Sequence, residues 1–195
     1  MSSQVNITLE DGGPLTAIVS FGSNLAYGKR SVADVLGVAI ETLRAFSLAP
    51  VLVSSFYQTE PLGCTPGTPD FINGIIIIKP LEHLSAVAFL EELHRIERRF
   101  GRKQSGDRGK ISSQASATSL HRARSLDLDL ICWGKLRSDS GSLVLPHPRA
   151  HLRRFVLAPL AELVPGLILP GQTLTVQALL SGLDCVGAVS RLKSF

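Results

Sequence analysis

The spacing of apolar positions separates strand-like from helix-like segments along the chain. Residues 16–22, T-A-I-V-S-F-G, form a β-type run closed by the turn-forming Gly22, Ser23 and Asn24, which predicts a first strand. From Ser31, a residue suited to an N-cap, Val32, Val35, Leu36, Ala39, Ile40, Leu43 and Phe46 recur every three or four positions up to Pro50 and predict an amphipathic helix. Residues 51–57 read as a strand and residues 59–69 as a Gly/Pro-rich loop. Residues 71–79, with a run of four isoleucines at 75–78, read as a strand buried on both faces. Leu84, Val87, Ala88, Leu90, Leu93 and Ile96 predict a second helix, ending near Gly101 with Arg98, Arg99 and Arg102 about its negative end. Residues 125–133 predict another strand, 148–164 a helix and 174–180 a short one. Residues 1–15 read as a flexible N-terminal tail and residues 184–195 as a C-terminal tail.

The order β-α-β-β-α-β is that of an α+β, ferredoxin-like sandwich, an antiparallel sheet with helices packed on it, here with a C-terminal helical extension. A single domain over residues 16–183 is expected, and the length of 195 residues with 45% apolar composition supplies one sizeable core. Residues 103–119 are Ser/Gly-rich and polar with no apolar period, so a mobile loop insertion is expected there. No apolar run reaches the ~20 residues of a membrane helix, and the first residues lack the basic-then-apolar order of a secretory signal, so a cytoplasmic protein is the expectation. Cys64, Cys132 and Cys185 form no C-x-x-C pair and suggest neither a disulfide framework nor a Cys-rich zinc site.

Charge sharpens this picture. The net charge of +4 is unevenly placed: from Arg95 to Arg124 there are nine bases and two acids, a local balance of +7, which leaves −3 for the remainder. Such a patch suits either a polyanionic ligand such as a nucleotide or a solvated basic face.

The strongest chemical signal is S-L-D-L-D-L-I-C-W at 125–133. On a strand, Asp127 and Asp129 point together while Leu126, Leu128 and Leu130 point into the core; the two carboxylates lie about 6.6 Å apart along the strand. Like charges on one face repel unless a cation lies between them, so the pair is either a hard-cation site, with Mg²⁺ the obvious ion, or an edge strand charged against aggregation. Glu97, on the margin of the second helix's apolar stripe, either receives a ligand's polar edge or pairs with a neighbouring arginine. Residues 22–31 do not make a P-loop, because five residues separate the glycines and Arg30 stands at the Ser/Thr position. His147 and His151 have zinc-compatible i, i+4 spacing, but Pro148 makes His147 pre-helical, which favours a phosphate contact over zinc.

These motifs together resemble the 6-hydroxymethyl-7,8-dihydropterin pyrophosphokinase family. The resemblance rests on G-S-N-L at 22–25, S-S-F-Y-Q-T-E-P-L-G at 54–63, P-D-F-I-N at 69–73, R-I-E-x-x-x-G-R at 95–102, R-S-L-D-L-D-L-I at 124–131, and L-P-H-P at 145–148 followed by R-x-F at 153–155. It implies ATP-dependent transfer of a pyrophosphoryl group to the pterin hydroxymethyl oxygen, with release of AMP, in folate biosynthesis. It also implies that Asp127 and Asp129 bind two Mg²⁺ ions and act in catalysis with Arg102 and Arg124. Arg102, Arg124, His147 and Arg153 would contact ATP phosphates, and Leu90, His94, Arg95, Glu97 and Leu130 would line the adenosine side. Phe71 and Phe155 would sandwich the pterin, with Asn73 and the stretch of Thr59, Glu60 and Leu62 reading its polar edge. The expected partners are therefore ATP and the pterin, with no nucleic acid and no membrane. Where family members often carry Trp-Gly-Pro-Arg, this chain has His121-Arg122-Ala123-Arg124, and Phe71 replaces a frequent Tyr.

Two other readings compete. A ferredoxin-like sheet with a basic loop can bind RNA, but here Asp127 and Asp129 stand where phosphates would approach, and there is no aromatic run of the RNA-binding type. A homologue that binds pterin or nucleotide but has lost catalysis through its altered loop is separated from the enzyme by turnover alone.

Overall fold

The computed structural model describes residues 15–61, 65–102, 124–184 and 188–192. The expected loop 103–119 and the first fourteen residues lie outside the described part. A central antiparallel sheet runs in the order β5 (Asp127–Trp133), β1 (Ala17–Ser23), β4 (Phe71–Ile78), β3 (Tyr57–Thr59), β8 (Val189–Arg191), and the short β2 (Leu52–Val53) also pairs with β4. Taking β2 and β3 as one broken strand, this is the ferredoxin-like order, extended at one edge by β8.

Two helices cover one face. α1 (Val32–Arg44) starts on a capping box in which the Ser31 hydroxyl accepts the Asp34 amide proton while the Asp34 carboxylate accepts that of Ser31. α2 (Ala86–Arg99) starts on Ser85, whose hydroxyl accepts from the Ala88 amide, and runs into Gly101 at φ +84°. Val35, Leu36, Ala39 and Leu43 of α1 and Phe89, Leu93 and Ile96 of α2 bury against Val19, Phe21, Ile76, Ile78, Leu128 and Leu130. On the opposite face α3 (Arg154–Leu163) and α4 (Val176–Gly182) bury Val156, Leu157, Leu160 and Val176 against Ile18, Ile75, Ile77 and Ile131. β4 therefore alternates between two cores, as its run of isoleucines implied. None of the described helices is long and apolar enough to cross a membrane.

Four segments depart from the pattern-based reading. The strand expected over 51–57 is split, because Ser54 substitutes its hydroxyl for a ladder partner: Ser54 Oγ accepts the Ile75 amide proton at 2.9 Å while Ser54 N donates to Ile75 O. The helix expected over 148–164 is a 3₁₀ turn, Ala150–Leu152, followed by α3, because Arg153 takes an extended conformation (φ −112°, ψ 109°) between them. A hairpin of β6 (Ser138–Ser140) and β7 (Leu143–Leu145) was not anticipated; its strands have three residues each and carry little periodicity. Within the segment expected as a tail, 184–195, residues 189–191 form β8, held by pairing with β3 rather than by any apolar pattern of their own.

Candidate active site

Strand alternation sets the site. On β4, Phe71 and Asn73 lie on the same side as Ile75 and Ile77, towards α3; on β5, Asp127 and Asp129 alternate with the core residues Leu128 and Leu130 and lie on that same side. The register brings them into one row: Gly22 of β1 is opposite Asn73 on one flank and opposite Asp127 on the other, and the neighbouring Ser20 is opposite Asp129. Arg153 and Phe155 stand at the start of α3, over the same face.

Four basic side chains converge on the two aspartates. Asp127 Oδ1 accepts from Arg124 Nη1 at 2.5 Å and from Arg102 Nη1 at 3.2 Å. Asp129 Oδ2 accepts from Arg153 Nη1 at 3.3 Å, with His147 Nε2 3.8 Å away. His147 is held there because its backbone N–H donates to Ile131 O at 2.8 Å, on the outer edge of β5. It precedes the 3₁₀ turn that contains His151, so the two histidines do not share a helix face and the zinc-type spacing has no structural counterpart. Burial lowers the pKa of His147 against the pull of Asp129, and the Arg153 charge adds to the lowering, so the imidazole is neutral at pH 7.

Glu97 corrects one expectation. It is fully buried rather than open to a ligand, and its Oε1 accepts from Leu128 N at 2.9 Å and from Arg102 Nη1. The arginine pairing weighed from sequence is the one observed. Burial pushes this carboxyl up to about 7, with Arg102 and the Leu128 amide acting in the opposite direction. Leu130, also expected beside adenosine, has its side chain in the core under α1 and α2, where it is 4% exposed. His94 and Arg95 are exposed on α2 and Leu90 is half-buried; Arg95 pairs with Glu92 at 2.9 Å.

The other wall is built on β3 and β4. Thr59 and Asn73 are buried, and Asn73 Nδ2 donates to Thr59 Oγ1 at 2.7 Å, which fixes the carboxamide plane. Glu60 is exposed just beyond Thr59, and Leu62 lies outside the described residues. Phe71 and Phe155 are half-buried, and the Arg153 guanidinium lies 5.3 Å from the Phe155 ring centroid.

Two residues read from sequence only as turn formers prove to be structural parts of the site. Gly22 leaves room for Asn73, and Asn24 ties the two walls: its Oδ1 accepts from Arg124 N at 2.7 Å and its Nδ2 donates to Pro69 O at 3.0 Å. The G-S-N-L motif pointed at this segment, but its partners lie on strands whose register no local pattern reveals.

The family described as 7,8-dihydro-6-hydroxymethylpterin-pyrophosphokinase matches residues 18–165. Over 170 residues the chain is 34% identical to a Synechocystis protein named 2-amino-4-hydroxy-6-hydroxymethyldihydropteridine pyrophosphokinase, covering 87% of this chain and 76% of that one. A Haemophilus influenzae protein of the same name is 31% identical over 164 residues, 84% of this chain and 90% of its own length. The crystal structure of Plasmodium falciparum HPPK-DHPS shares the fold with a TM-score of 0.58 at 12% identity, over 86% of this chain. This chain spans 43% of that larger one.

Proposed function

The chain belongs to the 7,8-dihydro-6-hydroxymethylpterin-pyrophosphokinase family, and from that premise we propose how its residues divide the work. It is a transferase of folate biosynthesis that moves a pyrophosphoryl group from ATP to 6-hydroxymethyldihydropterin. In that reaction the hydroxymethyl oxygen bonds to the β-phosphorus, the bond from that phosphorus to the α-phosphate oxygen breaks, AMP leaves, and the hydroxyl proton is released. The protein must hold two substrates in line and stabilise charge on phosphate oxygens.

The observation that carries the assignment is the row Asn73, Gly22, Asp127 across three adjacent strands, with Arg102, Arg124, Arg153 and His147 gathered about the aspartates. Two half-exposed carboxylates ringed by cations are an oxygen donor set that fits Mg²⁺, an ion usually held by one or two carboxylates together with substrate phosphates. We assign Asp127 and Asp129 to two Mg²⁺ ions, which when bound would neutralise phosphate charge. Arg102, Arg124 and Arg153, which pair with the aspartates in the free protein, would contact the phosphates of ATP, and His147 would donate to one phosphate oxygen. Leu90, His94 and Arg95 on α2 take the adenosine side, while Glu97 acts through Arg102.

On the other wall the pterin ring lies between Phe71 and Phe155, because two aromatic faces hold a flat heterocycle well. Asn73, its donor engaged by Thr59, offers Oδ1 to a ring N–H, and the backbone of Thr59 and Glu60 completes the polar edge. Incubation of the protein with ATP, Mg²⁺ and 6-hydroxymethyl-7,8-dihydropterin should yield AMP and the pterin diphosphate in equal amounts. Absence of AMP, or formation of ADP instead, would overturn the assignment.

A further inference from the structure

Glu162 lies in the last turn of α3, seven residues after Phe155 and therefore two helical turns along the same side. Its carboxylate gathers four donors, from Ser55 in the link between β2 and β3, Tyr57 of β3 and Arg191 of β8. Oε2 accepts from Ser55 N at 3.1 Å and from Tyr57 OH at 3.1 Å, and Oε1 accepts from Ser55 Oγ at 2.8 Å and from Arg191 Nη2 at 3.0 Å. Arg191 Nε also donates to Ser55 Oγ at 2.8 Å, closing the network onto β8. Burial, reinforced by the Glu162 carboxylate, pushes the Tyr57 hydroxyl up to about 12, so it remains a donor at every working pH. β8 in turn continues this clamp to the end of β3: Val189 is opposite Thr59, Glu60 N donates to Ala188 O at 3.3 Å, and Ala188 N donates to Glu60 Oε2 at 3.4 Å.

These contacts join the helix that presents Phe155 to the strand that leads to Thr59 and Glu60, at the opposite end of α3 from Arg153. We propose that Glu162, with Arg191 of β8, is a positioning pair that sets the separation of the two pterin-binding walls and so controls pterin affinity independently of nucleotide binding. β3 has only three residues, and its other neighbour, β4, packs on α3 through apolar side chains such as Ile75 and Ile77. Removing the carboxylate deprives Ser55, Tyr57 and Arg191 of a shared acceptor and leaves the last turn of α3 without these directional bonds, while the Arg153–Asp129 contact still ties its start to β5. The inference rests on the pterin-site assignment given above.

The test is steady-state kinetics of AMP formation for Glu162→Ala, Glu162→Gln, Arg191→Ala and the Glu162→Ala/Arg191→Ala double variant, with pterin and ATP varied separately. Glu162→Ala should raise KM for the pterin about tenfold, with kcat and KM for ATP changed less than about twofold. Glu162→Gln should fall between it and the parent, since an amide oxygen still accepts from Ser55 N. Arg191 is well exposed, so Arg191→Ala keeps the fold; it should raise the pterin KM in the same direction, and the double variant should show less than the product of the two single effects. An unchanged pterin KM in Arg191→Ala and Glu162→Ala, or equal losses for pterin and ATP, would overturn the positioning role. A parent protein that makes no AMP would instead overturn the assigned reaction, so the two failures are distinct.

Discussion

Gly22 and Asn73 face each other across β1 and β4 so closely that a Cβ built on Gly22 would lie 2.4 Å from Asn73 Oδ1. The missing side chain is what lets the carboxamide lie over β1 towards Asp127, with its nitrogen bonded to Thr59. The glycine is needed for space rather than for a left-handed backbone.

Gly22→Ala should therefore displace the Asn73 amide and raise KM for the pterin by the order of 10- to 100-fold, the usual consequence of a misplacement of about 1 Å. KM for ATP should change much less, because the phosphate ligands lie on the other flank of β1. Separate titration of the two substrates checks this, and a pterin KM equal to that of the parent would contradict it.

Phe71→Ala and Phe155→Ala should each weaken pterin binding while leaving nucleotide binding nearly intact, since stacking is worth roughly 0.5–1.5 kcal/mol beyond the area buried. Calorimetry with each ligand alone is the measurement. Equal losses for both ligands would show that these rings serve only the packing beside α3.

The buried Glu97 makes stability depend on pH in a definite direction. Its carboxyl titrates near 4.5 when exposed and near 7 in the folded chain, so between those values the folded state holds one proton more than the unfolded state. Stability should fall as pH rises from about 4.5 to 7, by up to ~1.4 kcal/mol per pH unit, and level off above. Urea unfolding from pH 5 to 8 should show this fall in the parent and not in Glu97→Gln. The same slope in both would contradict the assignment of the effect to Glu97.

The legible part of the molecule was what short-range period and local motif determine. The amphipathic stripes of α1 and α2, the doubly buried β4 and the shared face of Asp127 and Asp129 follow from side-chain alternation or helical spacing and hold in the structure. What escaped was set by pairing between distant segments. The Ser54 hydroxyl breaks a strand through Ile75, β8 exists only because β3 offers an edge, and Glu97 is buried because it covers the Leu128 amide on the outer edge of β5. Gly22 and Asn24 were visible as a motif, but their work depends on which residues the register sets beside them.

The most direct test of the account is the rate of AMP formation by Asp127→Ala and Asp129→Ala at saturating ATP, Mg²⁺ and pterin, with circular dichroism to confirm the fold. Each variant removes a half-exposed carboxylate paired with arginines, Arg102 and Arg124 at Asp127 and Arg153 at Asp129, so the fold should persist while turnover drops by about 10³-fold or more. Near-parental AMP formation in either variant would contradict the claim that these two aspartates hold the metal-bound phosphates beside the pterin.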